Sequence, residues 1–429
     1  MLVNRETAFE AYALSLQDDS ADLSSLRSFF EEDNDYRERL AAVEGAVARA
    51  PFALKVPSHP EALFGKVLVN SASKVQTFYK CPFRYFCAYG LRVDEKRRAE
   101  IDPIERGNLV HSILEQFFKA YPSKAAYTSL SVQEIHDFVE RSIRDYLNAF
   151  MGGDDDKPGS FDFQLEMLLD KTVRVIRFII EELQNSGYDV EDTELDFPQD
   201  MRGYSVILPD GHEIQIRGKV DRVDVSEQKD GRYLRIIDYK SQSKAKGFNF
   251  AEVYYGLDLQ MLIYLIAIIR NGAARYGDFQ PGGVLYSNVL FNGFSETESR
   301  EKTTDRLVRD AFRLRGLYLD KKAFKIADKE SFSAQASTKV TPDELETVFK
   351  KVDQLISRMG ERLFDGEIPA QPFRSGSDKA CDRCAYTDVC AYRQSEPRVN
   401  LFAGRTSGKR QRILEKMQED IEGEVNANA

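Results

Sequence analysis

Apolar residues along the chain alternate between long helical stripes and short two-residue periods. Val110, Ile113, Leu114, Phe117 and Phe118 recur at three- and four-residue intervals, which predicts an amphipathic helix over 107–121. The same spacing predicts helices over 162–183, 257–269 and 342–364. Between 183 and 257 the period drops to two. Segments 204–208 and 213–216 flank Pro209-Asp210-Gly211, and segments 218–225 and 232–239 flank Gln228-Lys229-Asp230-Gly231. Each set reads as strand, tight turn, strand. A further strand is predicted over 283–291. The pattern is that of an α/β protein with helices flanking one mixed, largely antiparallel sheet.

The flanks differ from this centre. Residues 1–65 read as a helical, acidic connector with an apolar stripe at Leu23, Leu26, Phe29 and Phe30, and Pro51, Pro57 and Pro60 break it from the next segment. Ser71-Ala72-Ser73 offers an N-cap to a short helix over 74–79. The charged stretch 296–310 is expected to cross the surface. Residues 399–429 read as a polar tail, frayed over its last dozen positions. The functional domain is therefore expected over 66–398.

Charge and composition narrow the function. With 60 Lys and Arg against 70 Asp and Glu, the formal charge is −10. That argues against a passive nucleic-acid coat, which needs cations to neutralise phosphates. It leaves room for an enzyme with a local basic channel, and basic runs occur at 96–98, at Lys240, Lys244 and Lys246, and at Lys409, Arg410 and Arg412. No Gly-x-x-x-x-Gly-Lys-Ser/Thr phosphate loop occurs. The longest apolar run, 261–269, is too short for a bilayer, and the first residues lack a signal-peptide pattern. A cytoplasmic location with reduced thiols is expected, and no membrane partner.

In a strand, Asp238 and Lys240 share a face, whereas Asp221 and Asp224 fall on opposite faces. Pairing through the second hairpin can set Asp221 beside Asp238. Two adjacent carboxylates suit Mg²⁺ or Mn²⁺, which would acidify a bound water, and Lys240 could orient that water or neutralise phosphate charge. His111 lies on an otherwise apolar helix with Glu115 one turn on, and Gln260 and Tyr264 stand one turn apart after the hairpin. Glu194 is a further acidic candidate.

Five cysteines complete the chemistry. Cys381-x-x-Cys384 and Cys390 form a tight trio. Cys81, at the break before Pro82, can supply a fourth ligand, whereas Cys87 sits among aromatics and reads as a small buried hydrophobe. Four thiolates suit zinc or an iron–sulfur cluster, and spacing alone leaves both open.

Gly-x-x-x-His at 107–111, Gly-x-Val-Asp-Arg-Val-Asp at 218–224, Ile-Asp-Tyr-Lys-Ser at 237–241 and Gln-x-x-x-Tyr at 260–264 occur in this order. The set resembles the RecB-type branch of the PD-(D/E)xK nucleases, with their restriction-endonuclease-like core. By that resemblance His111, Asp221, Asp238 and the Tyr239 carbonyl would bind metal, Lys240 would be the catalytic lysine, and Gln260 and Tyr264 would position DNA or the nucleophile. Ser71-x-Ser73-x-x-x-x-Phe78-x-x-Cys81-Pro82-Phe83-x-Tyr85-Phe86 before these motifs, Leu314 to Asp320, and the cysteine trio after them resemble the C-terminal nuclease domain of the AddB family. These are B subunits of ATP-dependent helicase–deoxyribonucleases. The resemblance covers roughly residues 70–395. It implies that Cys81, Cys381, Cys384 and Cys390 hold a structural 4Fe–4S cluster. It also implies Mg²⁺- or Mn²⁺-dependent cleavage of single-stranded DNA or duplex ends during break repair, beside an AddA-like partner subunit. The family's helicase-like region has no counterpart here, so the chain reads either as a fragment of a larger subunit or as a short relative. A CRISPR-associated RecB-like exonuclease and a catalytically weak DNA-binding scaffold are the alternatives.

Overall fold

The computed structural model describes residues 4–16, 23–47, 58–93, 103–150, 159–241, 247–289, 309–319, 326, 338–375, 378–382, 384–390, 398–399 and 409–427. The basic run at 96–98, Lys244, Lys246 and most of the charged stretch 296–310 lie outside these residues. No helix among the described residues is long and apolar enough to cross a membrane.

The centre is a mixed sheet built on one long strand. β1 (Val67–Ser71), β2 (Asp189–Phe197), β3 (Tyr204–Ile207) and β4 (Glu213–Gln228) come first, followed by β5 (Gly231–Lys240), β6 (Phe279–Asn288), β7 (Arg315–Tyr318) and β8 (Thr338–Lys339). The order is β1-β4-β5-β6-β7-β8, with β2 and β3 also pairing β4. The sequence pattern predicts two strands broken at Arg217-Gly218 where the structure has β4 alone. β4 runs through because it changes partners there: its first half lies between β1 and β3, and its second half meets β2 and β5. The β4–β5 hairpin closes with Gln228 opposite Gly231, which adopts φ 137°, a region open to glycine. β5 pairs β6 in parallel, so β6 needs a crossover, supplied by the helix Gln260–Asn271.

Alternation along β5 feeds two cores. Leu234 and Ile236 face one core, which includes Val75, Phe78, Leu262, Leu265, Ile356 and Met359. Tyr233, Ile237 and Tyr239 face the other, with Val110, Phe117, Val139, Ile176 and Leu183 from the helices Pro103–Ala120, Val132–Phe150 and Gly159–Asn185. Each such side chain fully buried contributes about 1.5–3 kcal/mol.

Three expectations change. Helices Arg5–Ser15, Ser24–Glu32 and Arg37–Val47 pack around Phe9, Tyr12, Phe30 and Leu40, but Ser58–Phe64 sends Phe64 into the first large core, so that core begins before residue 66. Residues 399–429 are not simply a polar tail: Lys409–Ala427 is a helix whose Ile413, Leu414 and Met417 are buried in the same core. That stripe is narrow, three apolar positions in a charged segment, and easily read as tail. Lys351, itself buried, donates to Asp420 at 2.9 Å and fixes the helix against Pro342–Phe364. The third change is β2, a strand absent from the predicted elements. Its acidic residues mask the two-residue period that would reveal it.

Candidate active site and thiol clasp

The middle of β4 and the C-terminal end of β5 bring the predicted residues together. The Tyr239 N–H donates to Asp221 Oδ2 at 2.6 Å, and the Tyr239 carbonyl accepts from His111 Nε2 at 3.0 Å. His111 Nδ1 stands 3.6 Å from Asp221 Oδ1 and 3.9 Å from Glu194 Oε1. On the same side, Lys240 Nζ lies 2.6 Å from Asp238 Oδ2, and Gln260 Nε2 donates to Asp238 Oδ1 at 3.1 Å. Gln260 Oε1 in turn accepts from Lys240 Nζ at 3.4 Å, closing a triangle around the lysine.

Two motif glycines make this convergence possible. A Cβ at Gly107 would stand 2.6 Å from Ser241 Oγ, so the His111 helix lies close against the end of β5 and a side chain there would have to displace the serine hydroxyl. A Cβ at Gly218 would stand 2.5 Å from the Tyr264 hydroxyl, so Tyr264, bonded to Gln260 one turn back on its helix, packs on β4 only over a bare backbone.

The carboxylates and the imidazole lie close enough to shift one another's protonation. Burial, reinforced by Asp221, pushes the Asp238 carboxyl up to about 7, with Lys240 offsetting only part of this. Burial and Asp221 also raise the Glu194 pKa. At His111, burial alone would lower the pKa, but hydrogen-bonded Asp221, with Glu194 and Asp238 nearby, outweighs it and pushes the group up to about 9. Burial pushes the Tyr264 phenol up to about 12.

Ligand atoms of His111, Glu194 and Asp221 lie within 4.8 Å of one another. With Asp238 and the Tyr239 carbonyl beside them, this oxygen-rich set fits a hard divalent cation such as Mg²⁺ or Mn²⁺. Glu194 is the least specific of the candidates in the sequence. It sits in β2 with φ 53°, a left-handed backbone rare for a non-glycine residue, and that kink falls where the carboxylate meets Asp221 and His111. Glu115 is not among the ligand atoms that converge, although its charge adds to the rise at Glu194. It accepts from Lys119 at 2.6 Å on the exposed flank of its helix.

Asp224 falls on the far face, as strand parity requires. Its carboxylate takes two hydrogen bonds from Arg222, at 2.7 and 2.9 Å, and one from Arg235 at 2.9 Å, and Arg235 also donates to Glu182 at 2.8 Å. All four side chains are buried. Arg222 Nη1 reaches the Tyr239 hydroxyl at 3.2 Å, so this network braces the residue whose backbone faces His111 and Asp221.

The cysteines lie against the first core, and the residues flanking them line the same cleft as Lys240 and Gln260. Cys81 ends the helix Ala72–Lys80 and starts Pro82–Tyr85, and both Cys81 and Cys390 pack against the first core. Cys81 and Cys381 lie close enough that, beyond burial, other thiols of the set raise their pKa values: Cys384 for Cys81, and Cys81, Cys384 and Cys390 for Cys381, which reaches about 11. The two arms are tied directly as well: Phe83 N–H donates to the Pro369 carbonyl at 3.2 Å and the Tyr386 hydroxyl to the Val93 carbonyl at 2.6 Å. Cys87 is buried, as its aromatic setting predicts, but it also feels Cys384, Cys81 and Cys390. Four thiols drawn from both arms are a donor set for a soft metal, one zinc ion or an iron–sulfur cluster alike.

Residues 70–391 match the family model of the PD-(D/E)XK nuclease superfamily. The chain is 26% identical to the B subunit of the ATP-dependent helicase/deoxyribonuclease of Alkaliphilus oremlandii over 380 residues, 84% of this chain and 33% of that protein. It is 26% identical to the protein of the same description from Clostridium acetobutylicum over 361 residues, 77% and 30% of the two chains. With that of Bacillus anthracis it shares 27% identity over 420 residues, 91% and 34%. The chain thus spans about a third of the length of these curated relatives. The family match covers the His111, Asp221, Asp238, Lys240 and Gln260 constellation and every cysteine, and the chain belongs to the PD-(D/E)XK nuclease superfamily.

Proposed function

We propose that this chain is a divalent-metal-dependent deoxyribonuclease that hydrolyses single-stranded DNA during processing of broken ends, beside an ATP-driven AddA-like partner subunit. The observation that carries the reading is the convergence of Asp221, Asp238, Lys240, Gln260 and His111 at one sheet end. The relatives' description as helicase/deoxyribonuclease subunits supports the partner and the DNA substrate.

Asp221, Asp238, Glu194, His111 and the Tyr239 carbonyl would hold Mg²⁺ or Mn²⁺. When bound, the ion supplies a polarised phosphate and an acidified water. The protein's own contribution is orientation and charge. Asp238 and Gln260 hold the Lys240 ammonium from two sides, so it meets a phosphate oxygen already aimed. That preorganised cation stabilises the charge that builds on the oxygens as water attacks. Gln260, between Asp238 and Tyr264, is placed to bind the attacking water or the strand. Asp238→Ala and Lys240→Ala should each cut Mg²⁺-dependent cleavage by roughly 100-fold or more, the cost of removing one preorganised charge from such a site. Undiminished cleavage by folded variants would sink the assignment.

The clasp, in this reading, carries a 4Fe–4S cluster on Cys81, Cys381, Cys384 and Cys390 as a structural staple. What supports this is the approach of the Cys81 and Cys381 arms, whose thiols raise one another's pKa values. Anaerobically purified protein should be brown and contain iron, and colourless protein with one zinc would refute this part alone.

A further inference from the structure

Lys240 and Gln260 line one side of a cleft of about 430 Å³, and the residues beside the clasp cysteines line another. Lys80 precedes Cys81 and Arg84 lies three residues after it; Lys379 lies two residues before Cys381 and Asp382 follows it, and all four face this cleft. Its acidic residues near the catalytic side are engaged: Asp258 accepts from the Tyr286 hydroxyl at 3.2 Å and Glu252 from Asn249 at 3.1 Å. Arg84 is half-buried and Lys379 exposed, and neither pairs with a carboxylate among the described residues. The aromatic residues of the wall, Phe373 and Tyr286, are themselves buried, so they offer little open ring face to a base.

We infer that this cleft seats the DNA single strand next to the scissile bond, with Arg84 and Lys379 as positioning residues that grip its phosphates. The inference rests on the nuclease reading above and deepens it. A cleft of this size lies near the small end of the range for ligand pockets, about 300–1,000 Å³, which suits a nucleotide or so of one strand and not a duplex. Cations with few exposed rings read backbone and not base, so cleavage should show little sequence preference. The arrangement also gives the two clasp arms a second use. Each arm contributes a phosphate-gripping cation, Arg84 beside Cys81 and Lys379 beside Cys381, and joining the arms sets the spacing between them.

The test uses the whole chain with Arg84→Glu and Lys379→Glu combined, beside Arg144→Glu on the exposed flank of the Val132–Phe150 helix as a charge control. On a labelled oligo-dT with Mg²⁺, the double variant should raise KM by roughly tenfold or more, with kcat held within about twofold. In EDTA, where nothing is cut, the salt dependence of oligo-dT binding should flatten by about 0.7 per lost phosphate contact. Clasp metal content and melting temperature should match the parent, and Arg144→Glu should behave as parent. The neutral Arg84→Gln should fall between parent and double variant. A parent-like KM and salt slope in the double variant would overturn the inference even if the parent cuts DNA well. A parent that binds oligo-dT with the expected slope but cuts nothing would instead remove the nuclease reading, since the binding arm does not depend on cleavage.

Discussion

Gly218 lies directly beneath Tyr264: a Cβ added to the glycine would come within 2.5 Å of the tyrosine hydroxyl and 2.6 Å of its ring. The first glycine of the β4 motif is thus there for Tyr264, far along the sequence, and through it for Gln260. Gly218→Ala should leave the fold intact at a cost of about 1–3 kcal/mol from overpacking. It should lower kcat by displacing Tyr264. On a Tyr264→Ala background, itself destabilised by the cavity left behind, Gly218→Ala should cost much less further stability than it does alone, and activity should not return. The coupling energy from a double-mutant cycle, followed by thermal melts and cleavage rates, checks the relationship.

Asp221 and Asp224 are three residues apart on β4 and should fail in opposite ways. Asp224→Ala would leave Arg222 and Arg235 buried without their shared carboxylate, and losing one partner of a buried ion pair costs about 3–5 kcal/mol. Asp221→Ala removes a group that raises the Asp238 pKa, and its stability cost should be about 1–2 kcal/mol, that of the Tyr239 N–H left without its acceptor. Urea melts should therefore show a much less stable Asp224 variant and a folded, inactive Asp221 variant. A stable Asp224→Ala protein would contradict the buried network.

The carboxyl of Asp238 and the imidazole of His111 both have raised folded pKa values, so both act on stability with the same sign. For Asp238 the folded value of about 7, set by burial and Asp221, exceeds the ordinary value of 3.8. Its contribution is fully present below the unfolded pKa and is lost as pH rises through about 7. His111, raised to about 9 from 6.5, contributes fully below its unfolded pKa and loses that contribution as pH rises through about 9. Metal-free protein should therefore lose stability from this site between about pH 4 and pH 9. A divalent ion needs these groups deprotonated and replaces the missing positive charge. The rise in Tm on adding Mg²⁺ should be small at about pH 6 and larger at about pH 8.5. An Mg²⁺ effect that shrinks with pH would contradict the acidic site.

How much of the site is legible in the sequence depends on how local each signal is. Asp238 and Lys240 share a strand face by parity, and the hairpin register follows from the strand pair, so their meeting with Asp221 is open to reading. Asp224 separates from Asp221 by the same argument. Glu194 cannot be placed that way, because β2 alternates poorly and the residue owes its position to a left-handed backbone that no periodicity announces. Glu115 misleads for the opposite reason: a one-turn spacing to His111 is a correct statement about helices, but Lys119, one turn further, takes its carboxylate. The helix Lys409–Ala427 hides because its three buried residues sit in a charged segment and become a stripe only against Pro342–Phe364.

The clasp yields the last prediction. Cys81 sits between two helical segments whose backbone is already satisfied, with its N–H donated to the Thr77 carbonyl and its carbonyl accepting from Tyr85. Cys81→Ser therefore changes little locally. In the proposed cluster reading it removes a link between distant parts of the chain that closes a very long loop, worth on the order of 5 kcal/mol by the loop-closure relation for cross-links. The Phe83–Pro369 and Tyr386–Val93 hydrogen bonds remain, but bonds of that kind contribute only about 1 kcal/mol each. Cys81→Ser should lower Tm sharply and lose the clasp metal. At low temperature it should keep a kcat near that of the parent per folded molecule, because Asp238 and Lys240 are held by Gln260 and not by the thiols. Cys87→Ser is the informative companion, since Cys87 shares the thiol neighbourhood: retained metal there, with loss in the Cys81 variant, assigns the fourth ligand to Cys81.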